Sequence, residues 1–411
     1  MLTPEYMLHA TEPAEEIAEA LHQNILDRII KRILHRFSRG DNYVLTAVDK
    51  WQLETVQEAG FLLEDIQKEL SKATGLMQSE IAEAMEDAGV RTLEYDDAVY
   101  RAAGLNPVPL MQSPYLIRLM QRNYEATLGE WENFTRTTAT AAQQTFIRTC
   151  DNAYHMATTG AISTRQAVRE AVEELADSGL EIVYYEKDGN VTRKDTIETA
   201  TARAVRTGIS QASVNITLER IREMKWDIIL VSSHLGARIN DKQDYTNHHW
   251  WQGKFYSDSG KDSRFPPFSV CGFGDVQGIG GANCRHHIGP GDGKNNPFDH
   301  YDAEENRKQY EIDQRARELE RRIRRTKKTV MSLKTSMDNA MDEEQREGFR
   351  KTYERKAALL QKQNAAYNQY CKDHGLKKRD DRIHVAKWNR SQAAKARAAA
   401  QKYNTQKEDK R

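Results

Sequence analysis

Histidine, cysteine and tryptophan are concentrated in one stretch of this 411-residue chain. Residues 248–287 hold four of the twelve histidines, two of the four cysteines and two of the six tryptophans. Imidazole and thiolate groups are the ligands that Zn²⁺ prefers in tetrahedral sites. The stretch therefore predicts a candidate structural zinc site, and no other cofactor. Its ligands would be His249, Cys271, Cys284 and His286, with His248 and His287 as substitutes.

Other interpretations of the same residues stay open. The close Cys-x₂-Cys pairs of familiar zinc modules are absent, so Cys284 could instead be a small buried apolar group. A nuclease is another possibility, since a His-Asn-His metal site with one histidine as general base could be formed by His249, Asn283 and His287. No acidic ligand in a strand–helix frame accompanies them. The glycines at 278–281 lack the Lys-Ser/Thr of a phosphate loop, which indicates tight turns.

The tryptophans of this stretch also admit two roles. Trp250 and Trp251, with Phe255 and Tyr256, could form an exposed protein-binding patch, because aromatic anchors dominate interface energies. Alternatively they pack in a core, in which case alternation would bury one tryptophan and expose the other.

The order of these residues resembles a known family, the Mu F-like phage head morphogenesis proteins, and within it the phage minor capsid protein 2 branch. The matching segments are His249–Lys254, Tyr256–Ser257, Gly281–His286 and, on a preceding helix, Ala204–Thr207. Three positions depart from the wider group. Gly208 stands in place of Glu, Gln252-Gly253 in place of Asp-Gly, and His286 in place of a second cysteine. These departures fit the minor capsid branch.

The resemblance implies a non-enzymatic structural protein of a tailed-phage head. Such a protein would be present in few copies, associate with the portal and head interior, and enter during procapsid assembly in the host cytoplasm. It could assist DNA packaging or ejection, and its partners would be the portal protein and other head proteins. The residues expected to define this fold are Trp250, Trp251, Gly253, Asn283 and Arg285.

Composition sets the frame for these motifs. Hydrophobic residues make up 38% of the chain and charged residues 30%, which indicates extensive solvated helix surface. A chain of this length predicts two or three domains. Few cysteines and no N-terminal signal pattern favour a reducing compartment. No apolar run reaches the ~20 residues of a membrane-spanning helix.

Periodicity predicts helices at 14–37, 43–73, 79–88 and 115–157, with an elbow at the prolines near 107–114. Ser163 and Gln166 predict a capping box for a helix ending at Gly179. Asp188-Gly189 predicts a β-hairpin turn, followed by a helix at 195–224 and a strand at 226–233. Residues 239–298 show no period, so they hold either short hidden strands or a segment ordered by an ion or partner.

Apolar residues after position 301 follow a heptad pattern, interrupted across 342–348. We interpret it as two antiparallel helices, with one continuous coiled coil and self-association as the alternative. The predicted fold class is therefore mainly α with a small α+β domain. Its predicted divisions are a helical N-terminal domain (1–110), a helical connector (115–178), the α+β Mu F-like core (179–300), the heptad helices (301–374) and a basic, flexible tail (375–411).

Charge is distributed unevenly. Residues 301–411 carry 30 Lys and Arg against 18 Asp and Glu, although the whole chain is balanced at 61 each. Such an arm could bind double-stranded DNA phosphates without sequence preference, or it could be a solvated helix face. The candidate DNA-binding residues are Arg321, Arg322, Arg324, Arg325, Lys377, Lys378 and Arg379.

Overall fold

A computed structural model describes residues 1–40, 47–160, 162–185 and 191–409. Over these residues the chain is mainly helical with small antiparallel sheets, which confirms the predicted fold class in this coarse form. The chain forms two compact units, each built from three segments. Unit 1 comprises Met1–Glu15, Thr74–Glu132 and Thr199–Gln314, and unit 2 comprises Glu16–Ala73, Asn133–Glu198 and Arg315–Arg411.

The N-terminal half is helical. Its helices are α1 (Pro4–His9), α2 (Glu12–Phe37), α3 (Val48–Ala102), α4 (Pro114–Thr158) and α5 (Thr164–Ser178). The predicted helices 14–37 and 115–157 are confirmed to within two residues. None of the described helices combines the length and apolar composition needed to span a membrane.

Helix α3 differs from the prediction, which broke it into helices at 43–73 and 79–88. It runs through Gly75 without interruption. Residues buried along it recur every three or four positions on both sides of Gly75, at Ile66, Leu70, Ala73, Met77, Ile81 and Met85. A helical glycine costs only about 1 kcal/mol relative to alanine, so this continuous apolar stripe outweighs it. Residues 43–46 lie outside the described part of the chain.

The predicted ends of α5 are confirmed, but only half of its capping box forms. The Ser163 hydroxyl accepts a hydrogen bond from the Gln166 backbone N–H (3.2 Å), and Gly179 follows the helix with φ +69°. The Gln166 side chain donates to Glu170 instead of returning to the N-cap. A favourable i, i+4 contact has replaced the reciprocal one.

Two small antiparallel sheets follow. Strands β1 (Ile182–Tyr185) and β2 (Val191–Asp195) pair as predicted for the hairpin, whose turn at Asp188-Gly189 lies outside the described residues. After α6 (Ile197–Glu223), the second sheet has the order β4-β3-β5, with bounds Phe255–Ser257, Ile228–Val231 and Ile288–Pro290. The short helix α7 (His248–Trp251) precedes β4. The aperiodic segment therefore contains hidden short strands, one of its two predicted explanations.

The core of unit 1 forms where β3 and α6 meet the loops of this second sheet. Ile229, Val231, Trp251, Tyr256 and Ile288 are all buried in one cluster. Long loops of the segment reach the same cluster through Phe268, Cys271, Ile279 and Cys284. The aperiodic segment is thus folded against a hydrophobic core that it shares with α6 and β3.

Gly208, the position where the wider phage group has Glu, lies in α6 against other helices of unit 1. A Cβ atom there would overlap Thr127 Oγ1 and lie 2.9 Å from Met85 Cε. We expect Gly208→Ala to destabilise the protein by about 1–2 kcal/mol, because overpacking outweighs the ~1 kcal/mol gain in helix propensity. Urea unfolding measures the change.

Gly75→Ala is the matched control for this prediction. No described atom lies within 4 Å of a Cβ added at Gly75, although it too is inside a helix. This substitution should raise the unfolding free energy by as much as about 1 kcal/mol. If both substitutions changed stability in the same direction, close packing at Gly208 would not be the cause.

Asp96 is a fully buried carboxyl in unit 1. Burial raises its pKa to about 7, against the opposing effect of the Thr217 hydroxyl, which donates to it at 2.6 Å. A carboxyl whose pKa is raised in the folded state contributes stability at low pH that is lost as pH rises through the folded value. The pKa shift sets an upper bound of about 4 kcal/mol on this pH-dependent contribution to the unfolding free energy.

Asp96→Asn should therefore stabilise the protein at pH 8 by about 2 kcal/mol, since a buried amide donor offsets part of the gain. At pH 4 the two proteins should differ little, because Asp96 is then protonated when folded. Urea unfolding at both pH values provides the measurement. An Asn variant that is less stable at pH 8 than at pH 4, relative to wild type, would contradict the prediction.

The C-terminal helices are α8 (Ala303–Asp338), α9 (Glu343–Asp373) and α10 (Arg390–Glu408). The break at 339–342 lies a few residues before the interruption predicted at 342–348, because the Asp342 side chain caps α9 by accepting from Gln345 N–H (2.9 Å). Within unit 2, Leu319 and Ile323 of α8 pack in one cluster with Leu360, Tyr367 and Cys371 of α9. The chain therefore forms two helices here instead of one.

Residues 375–409 contain α10, a helix of 19 residues, where the sequence predicted a flexible tail. Ala396 and Ala400, one helical turn apart, are buried, and Lys402 pairs with Glu354 of α9 at 2.9 Å. Alanine has the highest helix propensity, which offsets the weak hydrophobicity of the segment. Trp388 packs against the α8–α9 cluster.

A buried ionic network connects α2, α6 and α8 within unit 2. The Lys328 ammonium lies between the carboxylates of Glu19 (2.9 Å) and Glu198, each only 3% exposed. Arg324 also pairs with Glu19, and His22 Nδ1 bonds Glu198 at 2.8 Å. Burial would raise the pKa of the Glu198 carboxyl, but His22 and Lys328 hold it well below its usual range. The Glu198 carboxylate is therefore charged at neutral pH.

Candidate metal centre

Helix α7 directs one of two adjacent histidines into the core. The Asn247 side chain caps the helix by accepting from Trp250 N–H, and it donates to the carbonyls of Asn240 and Lys242 (both 2.8 Å). Positions i and i+3 share a helix face. His248 and Trp251 are accordingly buried, with ring centroids 4.5 Å apart.

Cys284 and His286 approach from the turns before β5. Gly278 allows these turns, since a Cβ there would overlap the Gly272 carbonyl oxygen. Asn283 adopts a left-handed conformation (φ +60°), which asparagine tolerates better than most residues. His287, the residue after His286, is fixed by two hydrogen bonds of 2.9 Å to Ser232. Its carbonyl accepts from the Ser232 N–H, and its N–H donates to the Ser232 hydroxyl.

His248, Cys284 and His286 come together as one buried group. The Cys284 Sγ atom lies 3.9 Å from His248 Nδ1 and 3.7 Å from His286 Nδ1. All three atoms lie within 4.8 Å of one another, and their residues are at most 2% exposed. Among the histidine, cysteine and acidic residues that the structure describes, these three form the group whose ligand atoms are close enough to hold a metal ion.

The other nitrogen of each ring faces a carbonyl oxygen. His248 Nε2 lies 2.8 Å from the Gln277 carbonyl, and His286 Nε2 lies 2.9 Å from Gln252 Oε1. The same Gln252 oxygen accepts the backbone N–H of His234 (3.1 Å), which identifies it as the acceptor end of the amide. A carbonyl only accepts, so each Nε2 carries the proton and each Nδ1 presents a lone pair to Cys284.

Burial controls the charge of the group. It lowers the pKa of His248 to about 4 and that of His286 well below its usual range. It also raises the pKa of the Cys284 thiol. The protein alone therefore presents two neutral imidazoles and a neutral thiol at pH 7.

The remaining residues of the predicted ligand set lie elsewhere. His249, on another face of α7, lines a cleft of about 370 Å³ together with Lys254, Asp299 and His300. Cys271 is buried beside the Tyr256 hydroxyl. His287 is 1% exposed, with neither ring nitrogen hydrogen-bonded among the described residues. The nuclease alternative needs His249 and His287 at one reactive site, and these environments lend it no support.

The motif residues surround the buried group. Trp251 is completely buried and donates from Nε1 to the Tyr245 carbonyl (3.0 Å), whereas Trp250 is half-buried beside the Lys254 ammonium. Gly253 has φ +65°. Arg285 lies 4.0 Å from Asp313. Sequence reasoning did not identify the hydrogen-bond partners of the group. The Gln277 acceptor is a backbone carbonyl, which leaves no signal in residue type, and the role of Gln252 depends on the orientation of its side-chain amide.

The predicted DNA-binding residues lie on and after α8, and most have acidic neighbours. Carboxylates pair with four of them, Arg322, Arg324, Lys378 and Arg379, while Arg325 donates to the Asp177 carbonyl. Arg321 and Lys377 are exposed. Pairing lowers the local positive charge available to phosphates.

The fold and the site define a mainly helical protein whose small sheet domain encloses a histidine–cysteine group. The model of the family described as phage minor capsid protein 2 matches residues 2–370, so the chain belongs to that family. It is thus a structural protein of the phage virion that associates with other head proteins, as the resemblance implied. No curated protein and no solved structure matches the chain.

Proposed function

We propose that this protein is a low-copy component of a tailed-phage head that binds the portal protein on the head interior. It enters during procapsid assembly in the host cytoplasm and assists DNA packaging or ejection. The observation that carries this proposal is the family match over residues 2–370. A role in assembly requires a surface that another head protein recognises.

The connection between α3 and α4 has the properties of such a surface. Within thirteen residues, the connection and the first turn of α4 expose Leu105, Val108, Met111, Tyr115 and Ile117, with Met111 73% exposed. Exposed apolar residues concentrated in one segment are typical of protein-binding sites. The connection is also held in place. Leu110 in the connection and Leu116 in the first turn of α4 are buried, and the buried Arg220 guanidinium donates to the Val108 carbonyl at 2.6 Å.

Copurification tests this proposal. The full chain, expressed with the portal protein of the same phage, should copurify with it. Val108→Asp combined with Met111→Asp should abolish copurification, because a charge cannot be desolvated in an apolar interface. Val276→Asp is the matched control, since Val276 is 72% exposed elsewhere in unit 1. If the double variant still copurified and the control variant did not, the assigned surface would be wrong. If wild type did not copurify, the assigned partner would be wrong.

The heptad helices 301–374 are proposed to form an intramolecular hairpin. The apolar residues of α8 and α9 named above are buried against each other, and the Tyr367 hydroxyl donates to Glu320 at 2.9 Å. With its seam occupied inside one chain, this segment has no apolar stripe left for a second copy. Light scattering of the purified protein should therefore give a monomer mass, and a dimer abolished by Leu360→Asp would favour the coiled coil.

A second proposal is sequence-independent DNA binding through residues 301–411, supported by the excess of 12 positive charges in that part of the chain. Binding to random double-stranded DNA would then weaken steeply with salt. Replacing Arg321 and Lys377 together by alanine should reduce the slope of log affinity against log salt by about 2. An unchanged slope would assign this charge to the solvated helix surface.

A further inference from the structure

We propose that His248, Cys284 and His286 bind one Zn²⁺ ion, which joins helix α7 to the turn before β5 as a structural centre. This ligand set shares Cys284 and His286 with the set expected from sequence. It replaces His249 by its neighbour His248 and omits Cys271. The inference stands on the geometry of these side chains and is independent of portal binding.

The distances between the ligand atoms fit a tetrahedral ion. Zinc lies about 2.3 Å from sulfur and 2.0–2.1 Å from nitrogen, so a sulfur and a nitrogen on one tetrahedron are about 3.6 Å apart. The corresponding distances here are 3.7 Å and 3.9 Å. The two sulfur–nitrogen distances would shorten by a few tenths of an ångström, and the two ring nitrogens, which lie within 4.8 Å of each other, would approach to about 3.3 Å around the ion.

The number of protons in the group also favours an ion. Two Nδ1 lone pairs face one thiol, which has a single proton to donate. In a buried site, one imidazole acceptor therefore stays without a partner. Zinc binding resolves this, because the Cys284 proton is released to solvent and the thiolate and both Nδ1 atoms coordinate the ion. A solvent molecule takes the fourth position.

Both histidines already have the outer partners that metal-binding histidines require. A metal-ligating imidazole usually donates its second N–H to a carbonyl or carboxylate, which fixes the ring and raises its basicity. The Gln277 carbonyl and Gln252 Oε1 fill these roles at 2.8 Å and 2.9 Å. Gln252 is itself fixed by the His234 N–H. One thiolate and two imidazoles favour Zn²⁺ over Mg²⁺ or Ca²⁺, which prefer oxygen ligands.

The test compares each proposed ligand with a residue of the same type outside the site, in the full-length protein. Wild type, purified with added zinc and dialysed, should retain about one zinc per chain by inductively coupled plasma mass spectrometry. His248→Gln and Cys284→Ser should lose it. His249→Gln and Cys271→Ser are the matched controls and should keep it. A wild type without zinc, or a Cys284→Ser protein that retains it, would overturn the proposal.

Two further measurements do not require a folded ligand variant. Wild type loaded with Co²⁺ should show a thiolate-to-cobalt charge-transfer band and the intense visible bands of tetrahedral cobalt. Gln252→Ala should weaken zinc affinity about 10- to 100-fold, as loss of an outer partner does. Competition with a chromophoric chelator measures the affinity. Absence of the charge-transfer band, or an unchanged affinity in Gln252→Ala, would contradict the assigned ligands.

Discussion

Lys328→Met should lower the unfolding free energy by about 3–5 kcal/mol, because it leaves the buried carboxylates of Glu19 and Glu198 without their shared cation. The deficit should narrow between pH 7 and pH 5. A carboxylate deprived of Lys328 has a raised folded pKa, so the variant gains stability as the group takes up a proton. Urea unfolding of both proteins at the two pH values measures this.

Lys334→Met provides the control on the same helix. Lys334 pairs with Asp338, whose side chain is 56% exposed. Solvent-exposed pairs of this kind contribute at most about 1 kcal/mol. Equal losses in the two variants would mean that shortening any lysine of α8 is harmful, and a Lys328→Met deficit that persists at pH 5 would point to lost packing instead of an uncompensated charge.

Trp251→Ala should also cost about 3–5 kcal/mol, the range for removing a completely buried aromatic side chain. The indole ring packs against the His248 and His286 rings at centroid distances of 4.5 Å and 4.7 Å. The substitution therefore opens a cavity beside the buried histidines. Urea unfolding and the melting temperature should both reveal the loss.

The neighbouring Trp250→Ala variant separates position from residue type. Trp250 is half-buried, and its ring lies 5.8 Å from the Lys254 ammonium. Its removal should cost less than about 1.5 kcal/mol, because much of the cavity would fill with water. If Trp250→Ala were the more harmful of the two, α7 would face the core with the opposite side.

The helices could be predicted because each is amphipathic over several turns. Helix α2 illustrates this, with Ile25, Ile29 and Ile33 completely buried at intervals of four residues. The continuity of α3 could not be predicted as safely, since Gly75 and its polar neighbours imitate a break. The two units could not be predicted either, because each is assembled from three segments. Local composition carries no information on which distant segments of the chain pack together.

The site shows a sharper limit. Residue types indicated the stretch of forty residues in which the buried group lies and the Cys284–His286 pair, whose short spacing brings both side chains together. They could not distinguish His248 from His249, because adjacent helix positions differ by about 100° in direction and the choice depends on where Asn247 starts the helix. Gln252 could be noted as a motif residue, but its role depends on the orientation of one amide.

The aperiodic segment has a consequence for how this protein can vary. Many of its backbone N–H groups are held by side chains, as where Asp292 Oδ1 accepts from both Lys294 and Asn295, and Asp227 accepts from Ser259. Elsewhere such groups are held by neighbouring peptide units, whatever the side chain. Here the polar residues themselves encode the loop path, so we expect these aspartates, which lie outside the core, to tolerate substitution as poorly as core positions do.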